Sequence, residues 1–367
     1  LGKYALAEIT TGGKNVVLGC SAGNKITSGG DNIALGQLAL GGAAVTGNYN
    51  IAFGKESGKA ITSGLNNILL GKCAGVSIAQ GQNHIMIGLD AGRASTGASY
   101  SNVYLGIYAG ECGTDASFNF YGSVSAGRCQ KTGCYNIAVG NNALKGSSTV
   151  NNNTAANNVA LGQGAGWCIS SGADNVALGQ EALGGAVLTG NWNIGMGKNA
   201  GKKMTSGTDN ILLGQKSGCS LTTHTNNVLI GPYAGIFNNG SHNFAGGYYA
   251  LGGSTTASNN TGSQNIALGR SAGAALTSGA CNIIMGCGAG STGTLTGADN
   301  IMMGTLAGRD ITAANHSVMI GHQAGRESLS ICANVLIGME TGACMCNGSH
   351  NIAMGQYTMR GSSTLSA

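Results

Sequence analysis

Asn32-Ile33-Ala34-Leu35-Gly36 is one of twenty closely similar phrases in this chain, and the spacing between them decides the fold. The phrases begin at Asn15, Asn32, Asn50, Asn67, His84, Asn102, Asn119, Asn136, Asn158, Asn175, Asn193, Asn210, Asn227, Asn243, Asn265, Asn282, Asn300, Ser317, Asn334 and Asn351. Successive starts lie 17 or 18 residues apart at all but three gaps. A period this regular marks a repeat architecture in which each turn buries its apolar residues against the next.

Within a phrase the residue after the start is Val, Ile or Phe in all twenty copies, and the residue two further on is Leu, Ile, Val, Met or Phe in eighteen. Positions two apart share one face of a strand. The exceptions are Gly122 after Phe120 and Gly246 after Phe244, which reads as volume conserved across a closely packed interior face. The residue between the two is also never charged, as in Val17, Ala34, Leu69, Met86, Tyr104, Tyr121, Leu212 and Ala353. A strand apolar on both faces is buried on both. One face belongs to the coil's own core, and the middle side chain is expected to be covered by neighbouring copies of the chain.

Seven places after each start stands Ala, Ser or Thr, and eight places after stands Gly in fifteen copies and Leu or Met in five. A small residue followed by glycine marks a tight corner with positive φ. The residue before it varies freely (Ser21, Glu56, Asp90, Tyr108, Lys216, Gln323) and is expected to face water. Tracts such as Ile26-Thr27-Ser28-Gly29 close the turn. The expected fold is therefore all-β: one elongated parallel β-solenoid or β-roll over residues 1–367, of about 20 rungs of 17–18 residues. Asparagines at equivalent places would form a ladder up the stack. Two spacings of 22 residues, after Asn136 and Asn243, predict loops protruding near 146–157 and 253–264.

Composition agrees with such an array. The chain of 367 residues has 67 glycines, one proline and 8% charged residues, which fits no ordinary globule, and it lacks a Gly-X-Y period. The net charge of +5 is dispersed, with Lys202-Lys203 the one adjacent basic pair, so no nucleic-acid partner is expected. No apolar run reaches the roughly 20 residues needed to cross a bilayer, so no membrane insertion is expected. The chain begins at Leu1 without Met, and Leu1-Gly2 reads as the tail of another phrase, as in a fragment or processed product.

The twelve cysteines include no Cys-x-x-Cys pair, which argues against structural zinc. Cys112, Cys129, Cys168 and Cys344 each stand ten places into their turns. Cys112 and Cys129, one turn apart, are a candidate disulfide, weighed against a role as small packing residues. Gly54-Lys55 and Gly197-Lys198 lack the Ser or Thr of a phosphate loop. No catalytic constellation, metal site or cofactor is expected from 13 dispersed acids and six scattered histidines. Any ligand site is expected on the loops, at Asn151, Asn152 and Asn153, or at Tyr248 and Tyr249.

The Asn-Ile-Ala-Leu-Gly-x-x-Ala-Gly phrases, followed by Thr-x-Gly-x-x-Asn, resemble the Gly-rich repeats of phage and large-virus tail-fibre proteins, and are similar to a lengthened head repeat of trimeric autotransporter adhesins. That resemblance implies a parallel homotrimer, intertwined or side by side, and a non-catalytic fibre shaft on a virion surface that presents loops to a host glycan or surface protein. It leaves as the alternative a microbial cell-surface or extracellular filament or adhesin, and in either case end-to-end polymerisation. An acyltransferase hexapeptide helix fits only Leu18-Gly19-Cys20-Ser21-Ala22-Gly23, because Asn24 breaks the period of six. An ice-binding threonine array is incomplete, since Thr27, Thr62, Thr205, Thr222, Thr277, Thr294 and Thr312 are matched in few other turns.

Overall fold

The computed structural model describes residues 1–147, 153–253, 260–328, 330–345 and 347–361. The fold is an all-β parallel solenoid. The chain divides into two compact units, Leu1–Thr189 and Gly190–Ala367.

In the first unit every phrase forms a three-residue strand starting one residue after its first Asn or His: β1 (Val16–Leu18), β2 (Ile33–Leu35), β3 (Ile51–Phe53), β4 (Ile68–Leu70), β5 (Ile85–Ile87), β6 (Val103–Leu105), β7 (Phe120–Gly122), β8 (Ile137–Val139), β9 (Val159–Leu161) and β10 (Val176–Leu178). Each pairs in parallel with the next without slippage, as in Val16 with Ile33 and Ile137 with Val159. The second of these spans a 22-residue spacing, so the added residues leave the register intact. Ten strands at about 4.8 Å make a stack roughly 43 Å tall.

The second unit repeats the pattern with β11 (Ile194–Met196), β12 (Ile211–Leu213), β13 (Val228–Ile230), β14 (Phe244–Gly246), β15 (Ile266–Leu268), β16 (Ile283–Met285) and β17 (Ile301–Met303). After these, three short strands that the phrases do not announce, β18 (Ala313–Asn315), β20 (Ser330–Cys332) and β22 (Asn347–Ser349), form a second parallel sheet. They alternate with β19 (Val318–Ile320), β21 (Val335–Ile337) and β23 (Ile352–Met354) of the main sheet.

The orientation of the strands corrects the sequence reading. The middle residues Ala34, Leu69, Met86, Tyr104 and Leu212 are buried to within 1% inside the coil of their own chain, so neighbouring copies are not what hides them. The flanking residues point outward: Val16, Leu18, Phe53, Ile137 and Met196 are more than a third exposed. Gly122 and Gly246 therefore lie on the outer face. A Cβ on Gly122 would come 3.2 Å from the Phe120 ring, which leans over its own glycine on a face that no interior constrains.

In several turns volume is instead exchanged across the inner face. Where the middle residue is Ala52 or Ala160, the residue eleven places into the turn is a buried Ile61 or Ile169. Opposite Met86 and Met319 that place holds Ser95 and Ser328, and opposite Tyr104 it holds Gly113. The five turns with Leu or Met eight places in (Leu40, Leu144, Leu183, Leu251, Met359) all have alanine in the middle of the strand. Other turns hold a large side chain at both places, as in Leu69 with Ile78 and Leu212 with Leu221, all buried, so the exchange belongs to individual turns and not to the whole coil. Tyr104 and Tyr121 fill two successive turns and stack with centroids 5.1 Å apart and planes 6° from parallel.

The expected asparagine ladder is present and buried. Asn50 Nδ2 donates to Asn32 Oδ1 (3.1 Å) and to the Gly64 carbonyl (2.9 Å), while Asn50 Oδ1 accepts from the Asn67 backbone N–H (3.3 Å) and Nδ2 (2.9 Å). Each rung thus satisfies the backbone of the next, as buried polar groups require. Ser317 continues the ladder by accepting from Asn334 N–H at 3.3 Å.

His84 replaces asparagine in the ladder, and its Nδ1 accepts from Asn102 N–H (3.2 Å). The proton therefore resides on Nε2, 3.1 Å from Ser99 Oγ. Burial holds the imidazole neutral, lowering its pKa to about 4. Since the unfolded imidazole binds its proton near pH 6.5, stability is full above that pH and falls as the pH drops from 6.5 to 4, by about 3 kcal/mol. The variant His84→Asn is expected to lose this acid sensitivity. Urea midpoints of the two proteins near pH 7 and pH 4.5 test it, and an equal acid drop in both rejects the role given to His84.

The corners use more left-handed backbone than glycine accounts for. Gly23 and Gly58 have φ of 52° and 57°, and Leu40, Leu144 and Met359, at the same place, have 48°, 47° and 52°. The variable residue two places earlier is left-handed too: Ser21 (53°), Glu56 (60°), Tyr108 (58°) and Lys216 (55°). These side chains are half-buried and not fully in water. The turn costs each such residue about 1–2 kcal/mol, but it aims the N–H at the adjacent rung: Glu56 N–H donates to Gln37 O (2.8 Å) and Tyr108 N–H to Leu89 O (2.9 Å).

Candidate functional site

Nine places into each turn the chain has just left its first corner, and equivalent residues stack into a column on the surface. In the first unit this column reads Arg93, Glu111, Arg128, Lys145, Trp167. Neighbours in it stand one rung apart, and two pairs of them interact. Arg128 Nε donates to Glu111 Oε2, and its guanidinium lies 4.7 Å from the Tyr108 ring centroid. Lys145 Nζ sits 5.4 Å from the Trp167 ring centroid. Cations over aromatic faces in this range contribute about 0.5–1 kcal/mol at exposed sites.

Beside this column runs the cysteine column, with Cys112, Cys129, Gly146 and Cys168 in consecutive turns. The structure brings the candidate pair together: Cys112 and Cys129 stand at equivalent places on adjacent rungs, half-buried and unbridged. The adjacent Cys112 thiol holds Cys129 down to about 6, with Lys145 and Arg128 acting in the same direction, while Cys112 is pushed up. Cys168 is instead raised by burial. It lines an open cleft of about 290 Å³ with Lys145, Gly146, Ser147, Trp167 and Gly185. The cleft presents an indole, an ammonium and a thiol.

The loop candidates fare unevenly. Asn151 and Asn152 lie outside the described residues. Asn153 is buried, donating from Nδ2 to the carbonyls of Cys129 and Ser147 (both 2.9 Å) and accepting from Ser147 N–H (3.1 Å). It brings the longer turn back to the core, as the buried Asn260 does beside Gly253 in the second unit. Tyr248 is 52% exposed, edge-on to Tyr233 at 5.8 Å and beside Tyr249 at 6.4 Å. Sequence reasoning missed the Glu111, Arg128, Lys145 and Trp167 column. Its signal was the phase, since all stand nine places into their turns.

Among the described residues no group of three or more His, Cys, Asp and Glu side chains is placed to hold a metal ion, and no helix is long and apolar enough to cross a membrane. Cys344 donates to Glu327 Oε2 at 3.3 Å. No family model matches the chain, and no curated protein matches it.

Proposed function

We propose that the chain is a non-catalytic fibre shaft of a virus or phage that associates with copies of itself, as a parallel homotrimer, and presents surface loops and aromatics for attachment to a host glycan or surface protein. One observation supports this above others. The outward strand positions are apolar or glycine in every turn of the main sheet in each unit, and many are more than a third exposed. A parallel sheet face without a single charge is one built to be covered. In such an assembly Ile33 and Leu35 would meet the neighbouring chain, and Ala34 fills the coil. Tyr248 and its aromatic neighbours in the second unit have the flat apolar surface on which a sugar ring stacks.

The native mass in solution tests the reading. Wild type is expected at three chains, and Phe53→Glu with Ile87→Glu is expected at one chain with its circular dichroism unchanged, because neither side chain fills the interior. A wild-type protein that runs as a single chain would remove the proposal.

A further inference from the structure

We propose that Cys112 and Cys129 form a redox-active dithiol on the surface of the first unit, in which Cys129 attacks a low-molecular-weight disulfide and Cys112 resolves the product into a bridge across two rungs. The geometry carries it. The two residues occupy equivalent places in successive turns, with Cys112 N–H donating to Arg128 O (2.9 Å) and Cys129 N–H to Lys145 O (2.7 Å), so their backbones follow the rung spacing. That spacing of about 4.8 Å lies within the Cα separation of disulfides. With the backbones already at that spacing, closing the bridge asks for side-chain rotation and no rearrangement of the stack.

The surroundings sort the roles. The groups facing Cys129 are the Cys112 thiol, the Lys145 ammonium, the Arg128 guanidinium and the Glu111 carboxylate, the last already paired to Arg128. The neighbouring thiol and two cations favour the thiolate at Cys129, the attacking form, and leave the proton on Cys112. In the first step the Cys129 thiolate attacks one sulfur of RSSR, forming a mixed disulfide and expelling RS⁻. Cys112 then gives its proton to solvent and attacks Cys129 Sγ, expelling the second RS⁻. Two protein thiols are oxidised and one disulfide is reduced to two thiols.

Oxidised glutathione at pH 7 followed by peptide mass mapping tests this. Wild type is expected to show Cys112 and Cys129 peptides joined, two hydrogens lighter than their sum, and Cys112→Ser is expected to hold glutathione on Cys129. In Cys129→Ser, Cys112 should stay free. At pH 7, Cys129 should alkylate roughly four-fold faster than an ordinary surface thiol, its greater thiolate fraction outweighing its lower nucleophilicity. If wild type keeps glutathione on Cys129 unresolved, or leaves both thiols separately alkylatable, the proposal fails.

Discussion

Replacing Asn50 by alanine is expected to cost about 3–5 kcal/mol, an unusual penalty for a side chain of this size. The methyl group cannot accept from Asn67, whose backbone N–H and Nδ2 both point at Asn50 Oδ1. It also withdraws the donor from the Gly64 carbonyl and one of the two donors to Asn32 Oδ1. Asn50 is fully buried, so water does not replace these partners. Each abandoned buried group costs about 1–3 kcal/mol. Asn50→Ser should recover part of the loss, because Ser317 already serves the ladder through its hydroxyl. Denaturant unfolding, with amide exchange at Asn67 as a local readout, distinguishes the outcomes. A penalty for alanine no larger than that for serine would show that the ladder is decoration.

The second large effect concerns the inner face. Tyr104→Ala removes a wholly buried ring stacked on Tyr121 and should cost about 3–5 kcal/mol through lost burial and an unfilled cavity. Gly113→Ile alone should also destabilise. A Cβ there is tolerated, since its nearest neighbours would be Gly110 O at 3.4 Å and Gln130 O and Tyr104 Oη at 3.5 Å, but the longer side chain meets the phenol. The double variant recreates the alanine and isoleucine pairing of Ala52 with Ile61, and its cost should fall below the sum of the singles by about 2 kcal/mol or more. Strict additivity would mean that the two positions do not share one volume.

Within each unit every phrase became a strand, in register with the next, because the side-chain period of two and the repeat of 17 or 18 residues leave a parallel chain no other pairing. The corners were legible through Gly23 and its equivalents, but the left-handed Leu40 and Glu56 were not, since no glycine advertises them. Of the candidate site, the phase of Cys112 and Cys129 was visible. The charges around them required Arg128 and Lys145 to be brought from the neighbouring column.

By itself, then, the sequence determined the parallel stacked coil, its rung length, the asparagine ladder and the apolar character of both strand faces. Only the tertiary structure decided which face turned inward. Periodicity separates Ile33 and Leu35 from Ala34 but assigns neither set to the interior, because both are apolar. The direction in which the chain closes depends on its left-handed corners. Once they curl the turn toward the middle residue, Ala34, Met86 and Tyr104 must share a narrow core with Leu40, Ser95 and Gly113, and the flanking side chains are left on the surface.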